Sequence, residues 1–146
     1  MTPERIAQLD ELLMEIAESI SLMSFATRSK VGALLYKNNN IISMGWNGMP
    51  SGFPNDEIEF KNDNGSLTTN PLVIHAESNA ILKCAATNGD AQNSTLYVTM
   101  NPCIECAKLI IQAGIKRVVY RVHYRIIDSL DVLKQAGIEV IQLERK

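Results

Sequence analysis

The chain has 146 residues, a length typical of one compact domain. Hydrophobic residues make up 46% and charged residues 21% of it, which excludes a disordered chain. The 14 basic and 16 acidic side chains give a formal net charge of −2, which argues against a dedicated binder of long nucleic acids. No apolar run approaches the ~18 residues of a membrane span, and residues 1–10 lack the layout of a signal peptide. We therefore expect a single domain over residues 1–146 that has no membrane partner.

The first half of the chain predicts one helix followed by a β-hairpin. Apolar residues three and four positions apart predict an amphipathic helix over residues 3–23. Two short apolar runs predict strands over 31–36 and 41–47, joined by a turn of lysine and asparagine residues. The polar stretch 53–70 predicts a long loop, and loops of this length in compact domains are usually functional or mobile.

The second half predicts alternating helices and strands. Helices are expected over 73–87, 102–113 and 128–136, and strands over 95–99, 117–122 and 139–143. Pro102 is expected in the first turn of the second of these helices. Strands that alternate with helices imply a sheet covered on both faces, with its later strands parallel. We therefore expect an α/β domain of three layers, in which helices cover both faces of a five-stranded mixed sheet.

One histidine and two cysteines have the pattern of a metal site. Cys103 and Cys106 are three positions apart at the start of a predicted helix, so both thiols turn toward one point. The partial positive charge of a helix N-terminus favours the thiolate form, which is the form that binds metal. Together with His75 they offer three ligands for Zn²⁺, whereas a structural zinc site is closed by four protein ligands. Taken singly, a Cys-x-x-Cys pair is often a redox pair or half of a structural zinc site.

The sequence offers few candidates for a fourth ligand. Cys84 lies more than two helical turns beyond His75, too far to join the same ion. His123 follows a strand and can approach the site, but nothing in the spacing demands it. We therefore predict an open fourth position for water, as in catalytic zinc sites. Glu77, two residues after His75, can point at a ligand over the helix end, where a carboxylate is a suitable proton shuttle.

The three cysteines also bear on the compartment. An odd number of cysteines, two of them close together, favours thiolate chemistry in a reducing compartment over oxidising export. We therefore expect a cytoplasmic protein, in the host cytoplasm if the source is a virus.

His-x-Glu followed by Pro-Cys-x-x-Cys is the signature of zinc-dependent nucleobase deaminases. On these residues the chain resembles the cytidine deaminase superfamily, and within it the deoxycytidylate (dCMP) deaminases. The resemblance runs from about Ser24 to the end of the chain. The Gly-rich stretch 45–52 and the long loop before His75 favour the dCMP branch. The remaining stretches that carry the resemblance are 31–33, 75–81 and 102–116.

The resemblance implies a cytidine-deaminase-like fold and the deamination of dCMP to dUMP, with release of ammonia and supply of dUMP for thymidylate synthesis. It implies one zinc ion per chain, because the loop lacks the extra Cys and His residues with which some relatives bind a second zinc. The implied zinc ligands are His75, Cys103 and Cys106, with Glu77 as the catalytic proton carrier.

The resemblance also implies contacts to the nucleotide. Asn47 is expected at the sugar, although an asparagine that only stabilises the Gly-rich loop is the alternative, and Ala76 is expected to contact substrate. Candidates for the 5′-phosphate, chosen because they flank segments expected near the pocket mouth, are Arg28, Lys30, Tyr124 and Arg125.

Regulation and assembly are implied in the same way. Gly45, Asn47 and Gly48 resemble the region where family members bind the regulators dCTP and dTTP, with Mg²⁺ accompanying the regulator. Family members form hexamers or other oligomers, so we expect a homo-oligomer and favour a hexamer.

Other functions remain open at this stage. The chain can be a deaminase of another cytosine nucleoside or nucleotide, including 5-substituted dCMP, or of an adenosine in tRNA. The tRNA substrate predicts a basic rim, which the net charge of −2 disfavours. A non-catalytic zinc- and nucleotide-binding regulator has no use for Glu77 as a proton shuttle, and a structural zinc module needs a fourth protein ligand.

Overall fold

The computed structural model describes residues 1–124 and 128–145. Its helices are α1 (Pro3–Ser21), α2 (Ala76–Ala86), α3 (Ile104–Gln112) and α4 (Asp128–Gln135). Its strands are β1 (Gly32–Lys37), β2 (Asn40–Trp46), β3 (Glu59–Lys61), β4 (Leu67–Thr69), β5 (Thr95–Met100), β6 (Arg117–Val122) and β7 (Glu139–Gln142). A short 3₁₀ helix, Asn55–Glu57, precedes β3. Within the described ranges, no helix has the length and apolar character needed to cross a membrane.

The central sheet has the strand order β2-β1-β5-β6-β7. β1 pairs antiparallel with β2 and β5, whereas β5, β6 and β7 run parallel. Because successive side chains of a strand point to opposite faces, Leu34, Tyr97 and Val119 pack against α1. Their neighbours in sequence, such as Leu35 and Val98, pack against α2, α3 and α4 on the other face. The predicted three-layer α/β fold with a five-stranded mixed sheet is confirmed.

A buried polar contact anchors α1 to the sheet. Asp10 accepts a hydrogen bond from the Tyr97 hydroxyl at 2.6 Å and a bidentate pair from the Arg117 guanidinium at 2.8 and 2.7 Å. Burial opposes the ionisation of Asp10, but the hydrogen bonds from Arg117 and Tyr97 outweigh it and lower the pKa of that carboxyl. The carboxylate therefore stays charged beneath the helix.

The prediction of an unbroken loop over residues 53–70 is wrong. β3 and β4 pair there as an antiparallel hairpin, which follows the 3₁₀ helix Asn55–Glu57. The buried residues of the segment, Ile58 and Asn70, flank the two strands and do not belong to them. The strands therefore show no alternation of buried apolar and exposed polar residues in the sequence. The hairpin depends on backbone pairing and on contacts with distant residues.

Two helices begin later than predicted. Ile74 forms a β-bridge with Gly48, and His75 is the N-cap of α2, which begins at Ala76 rather than at residue 73. Cys103 is the N-cap of α3, so Pro102 precedes the helix instead of lying in its first turn. Residues 75 and 103 thus both stand at the N-terminal end of a helix, where their side chains are free to turn away from the helix surface.

β2 lies unusually close to the beginning of α2. A Cβ atom at Gly45 would lie 2.4 Å from the Ala76 carbonyl oxygen and 2.6 Å from the Ala80 backbone nitrogen. The Ser43 hydroxyl donates to the Ala80 carbonyl at 2.6 Å, and the Asn79 amide donates to the Trp46 carbonyl at 2.8 Å. The missing side chain at residue 45 therefore lets the sheet support the helix that carries residues 75–78.

Candidate active site

The side chains of His75, Cys103 and Cys106 converge at the N-terminal ends of α2 and α3. The His75 Nδ1 atom lies 3.3 Å from Cys106 Sγ and 3.4 Å from Cys103 Sγ, and the three atoms all lie within 4.8 Å of one another. Tetrahedral zinc with Zn–N and Zn–S lengths of about 2.0 and 2.3 Å sets its nitrogen and sulfur ligands roughly 3.5 Å apart. The donor set therefore fits Zn²⁺ in both type and spacing.

Cys84 and His123 do not join this group. Cys84 is buried in the core between the sheet and α2. The His123 ring packs edge-on against Tyr120, with the ring centroids 5.2 Å apart. In the part of the chain that the structure describes, neither residue lies with the three predicted ligands, so no fourth protein ligand is present.

The thiols of Cys103 and Cys106 have different pKa values. A hydrogen bond from the Cys106 thiol, together with bonds from His75 and the Cys106 backbone N–H, lowers the pKa of Cys103 to about 3. Donating that bond and being buried raise the pKa of the Cys106 thiol. The hydrogen bond to Cys103 in turn raises the pKa of His75. The pocket favours a thiolate next to an imidazolium, and a divalent cation bound by the three atoms would replace the protons between them.

Glu77 is the second residue of α2, lies beside His75 and the two cysteines, and is 4% exposed. Burial raises its pKa to about 7, although its own backbone N–H and His75 favour the ionised form. A carboxyl group that titrates near neutral pH can both accept and release a proton.

A cavity of about 450 Å³ opens over the helix ends and has a size typical of small-molecule sites. Its lining includes His75, Cys103 and Glu77. The residues proposed from the sequence for substrate binding that also line it are Arg28, Asn47, Ala76 and Tyr124.

Three of the predicted residues are not brought to this cavity. Lys30 lines a separate cavity with Glu15 and Glu18. Gly45 packs against α2, and Gly48 pairs with Ile74. Arg125 lies outside the described residues.

Asn47 uses its side-chain amide to hold one wall of the cavity. Its Oδ1 accepts from the Val31 backbone N–H at 2.9 Å, and its Nδ2 donates to the Ser29 carbonyl at 2.9 Å. An amide has one further N–H and one further oxygen lone pair. These two bonds tie residue 47 to the segment 29–31, and a contact of Asn47 with the sugar stays a prediction.

Sequence reasoning missed Glu59, which also lines the cavity. Its carboxylate accepts hydrogen bonds from the Thr27 backbone N–H and hydroxyl at 2.9 and 2.8 Å, and from the Arg28 backbone N–H at 2.9 Å. In the other direction, the Arg28 guanidinium donates to the Leu67 carbonyl at 2.6 Å and to the Thr69 hydroxyl. The hairpin and residues 27–28 therefore hold each other. No sequence pattern distinguished Glu59 from the other carboxylates of its polar stretch.

Asn101 was missed as well. It is 5% exposed, lines the cavity, and accepts a hydrogen bond from the Tyr124 backbone N–H through its side-chain oxygen. Its position directly before Pro102 and Cys103 is the signal that could have identified it.

The comparisons with known proteins agree with this geometry. The family model of the cytidine and deoxycytidylate deaminase zinc-binding region matches residues 7–122. The chain belongs to this family. The family predicted from the His-x-Glu and Pro-Cys-x-x-Cys motifs is thereby confirmed.

Individual members of this family are similar to the chain in sequence and in structure. The deoxycytidylate deaminase of Homo sapiens is 41% identical over 113 residues, which are 75% of this chain and 62% of the human protein. The deoxycytidylate deaminase of Enterobacteria phage T4 is 32% identical over 176 residues, with 92% of this chain and 89% of the phage protein covered. The crystal structure of dCMP deaminase from the cyanophage S-TIM5, in complex with dCMP and dUMP, matches with a TM-score of 0.84 and 44% identity. That match covers 98% of this chain and 99% of the cyanophage chain.

Proposed function

We propose that this protein deaminates dCMP hydrolytically to dUMP and releases ammonia. The observation that carries the proposal is the convergence of His75, Cys103 and Cys106 with the buried Glu77 on one cavity. The likeness to the cyanophage dCMP deaminase over almost the whole chain supports the choice of a deoxycytidine nucleotide as substrate.

Each group at the helix ends has a role in this chemistry. His75, Cys103 and Cys106 would hold zinc, which would supply the acidity that makes water a nucleophile near neutral pH. Glu77 accepts a proton as water adds to C4 of the cytosine ring, and delivers it to N3. Glu77 then takes a second proton from the new C4 hydroxyl group and gives it to the departing amine, so that the ring gains a carbonyl group and ammonia leaves. The burial of Glu77 keeps bulk water from competing for these protons.

The remaining wall of the cavity selects the nucleotide. We assign Asn47 and Ala76 to the nucleoside, and Arg28 and Tyr124 to the 5′-phosphate. Arg125 lies outside the described residues and is kept as a phosphate candidate from the sequence resemblance. The Arg28 guanidinium is oriented by its bonds to β4 and supplies positive charge at the cavity. Glu59 contributes indirectly, because it fixes the backbone of Thr27 and Arg28.

We further propose a cytoplasmic homo-oligomer, with a hexamer favoured. This assembly rests on the sequence resemblance alone. Regulation by dCTP or dTTP with Mg²⁺, through Gly45, Asn47 and Gly48, rests on the sequence resemblance alone.

The direct test is to incubate the zinc-loaded protein with dCMP, CMP, deoxycytidine and cytosine in parallel, with dCTP and Mg²⁺ added to a duplicate set. Ammonia release is measured, and the products are identified by chromatography. We expect dCMP to be turned over well above the other three. Activity confined to unphosphorylated substrates would remove the phosphate assignment. Zinc binding without turnover of any of the four would contradict the proposed reaction.

A further inference from the structure

Ser78 lies behind the proposed metal site rather than in the cavity. It is the third residue of α2 and is 8% exposed. Its hydroxyl oxygen lies 3.4 Å from Cys106 Sγ, on a helix that is adjacent in space and 28 positions away in the sequence. Among the hydrogen bonds of the described residues, this is the contact that the Ser78 hydroxyl makes. A polar side chain with one partner at this depth points to a role toward that sulfur.

The two sulfurs of the site are supported in different ways. Cys103 is the N-cap of α3, and its Sγ accepts the Cys106 backbone N–H at 3.4 Å. Cys106 lies inside the helix, where its own sulfur has no such position relative to the helix N–H groups. It is 2% exposed, so bulk water has little access to it. The Ser78 hydroxyl is therefore placed to give Cys106 the support that the helix end gives Cys103.

Zinc binding determines the direction of this hydrogen bond. A zinc-bound cysteine is a thiolate and carries no proton, so the hydroxyl must donate. A buried charged acceptor that lacks a hydrogen-bond donor raises the free energy of the folded protein. Hydrogen bonds to metal ligands fix their orientation, and their loss typically weakens metal binding about 10–100-fold.

We propose that Ser78 is a positioning residue of the zinc site, which donates a hydrogen bond to the Cys106 thiolate, orients the sulfur and slows the loss of the metal. This inference rests on the proposed function only in so far as His75, Cys103 and Cys106 are zinc ligands. It does not depend on the identity of the nucleotide.

The test compares the wild type with Ser78→Ala, Ser78→Thr and Ser94→Ala. Ser94 is a matched control, because it is 0% exposed and its hydroxyl has no hydrogen-bond partner among the described residues. Zinc-loaded proteins are challenged with a chromogenic chelator, and the rate and extent of zinc transfer are measured. In parallel, each protein is loaded with Co²⁺, and the thiolate-to-cobalt charge-transfer absorption is recorded.

For Ser78→Ala we expect zinc affinity to fall about 10-fold. Its charge-transfer band should move to longer wavelength, because a thiolate without a hydrogen bond releases its electron more easily. Ser78→Thr restores a hydroxyl and should recover most of both properties, and Ser94→Ala should behave as the wild type.

Wild-type zinc affinity and an unshifted cobalt band in Ser78→Ala overturn the inference. Equal zinc loss in Ser94→Ala overturns it too, since the effect would then be general. A wild type that takes up neither metal overturns both this inference and the proposed site. A wild type that binds zinc but does not deaminate dCMP overturns the proposed reaction alone, and the comparison of variants still decides the role of Ser78.

Discussion

The helix ends of α2 and α3 and the β3–β4 hairpin form two sides of one cavity, but different interactions hold them in place. Glu77 and Cys106 are 4% and 2% exposed and belong to helices that pack on the sheet. On the hairpin side, Arg28 and Glu59 belong to surface segments joined by side-chain hydrogen bonds. The difference indicates that the two sides of the cavity have different roles. In the proposed function, we expect the packed side to fix the groups that react and the hydrogen-bonded side to adjust to the bound nucleotide.

The largest expected effect is on the packed side. Glu77→Gln keeps the size of the side chain but removes its capacity to carry a proton. We expect kcat to fall by at least about 100-fold, while zinc content, measured by atomic absorption, stays at the wild-type level. The matched control is Glu57→Gln, in the 3₁₀ helix that precedes the β3–β4 hairpin. A fully active Glu77→Gln protein would contradict the proton-transfer role.

A second prediction concerns α1, which packs on the opposite face of the sheet from α2 and α3. Asp10→Asn breaks the buried pair with Arg117, and we expect it to lower the free energy of unfolding at pH 7 by about 3 kcal/mol. The pKa of Asp10 is lowered in the folded protein from the ordinary value of 3.8. Its stabilising contribution is therefore full above about pH 3.8 and is lost as the pH falls through the folded-state value.

Denaturant titrations of the wild type and Asp10→Asn across this pH range provide the measurement. The difference between the two proteins should shrink below pH 3.8, where the carboxyl becomes protonated first in the unfolded chain. KM for dCMP should not change, because Asp10 does not line the cavity. A constant difference down to pH 2 would argue against an ionised Asp10.

The third prediction tests whether backbone packing fixes the reacting side. A methyl group at residue 45 would clash with backbone atoms of Ala76 and Ala80. We expect Gly45→Ala to destabilise the protein by about 2 kcal/mol, and to reduce zinc content because α2 carries His75. Gly48→Ala is the matched substitution, since its nearest neighbour would lie 3.9 Å from the new Cβ. Equal thermal stability of the two variants would show that the close approach of β2 is unimportant.

The smallest effect is expected on the hairpin side. Thr69→Val removes the hydroxyl that accepts a hydrogen bond from Arg28 and preserves the shape of the side chain. The loss of one such bond is worth about 1 kcal/mol, so KM for dCMP should rise about fivefold with little change in kcat. Deoxycytidine, which has no phosphate, should show no change in kcat/KM. An equal effect on both substrates would separate Arg28 from phosphate recognition.

Local sequence patterns determined most of the fold and the reacting groups. The strands β1, β5 and β6 are continuous runs of buried residues, because helices cover both faces of the sheet, and α1 buries apolar residues at a period close to 3.6. The existence of these elements was therefore predictable within a few residues. The convergence of His75, Cys103 and Cys106 was predictable because His-x-Glu and Cys-x-x-Cys are short motifs with a fixed chemical meaning.

Tertiary structure alone decided the surroundings of these groups. It placed Lys30 away from the cavity, paired the hairpin that no apolar pattern marks, and brought Glu59 to Thr27 across 32 positions of sequence. It also set Ser78 against Cys106, on a different helix. Such contacts join residues far apart in the chain through the packing of whole elements. A local pattern records the period and chemistry of one segment, but it contains no information on which distant segment that element will meet.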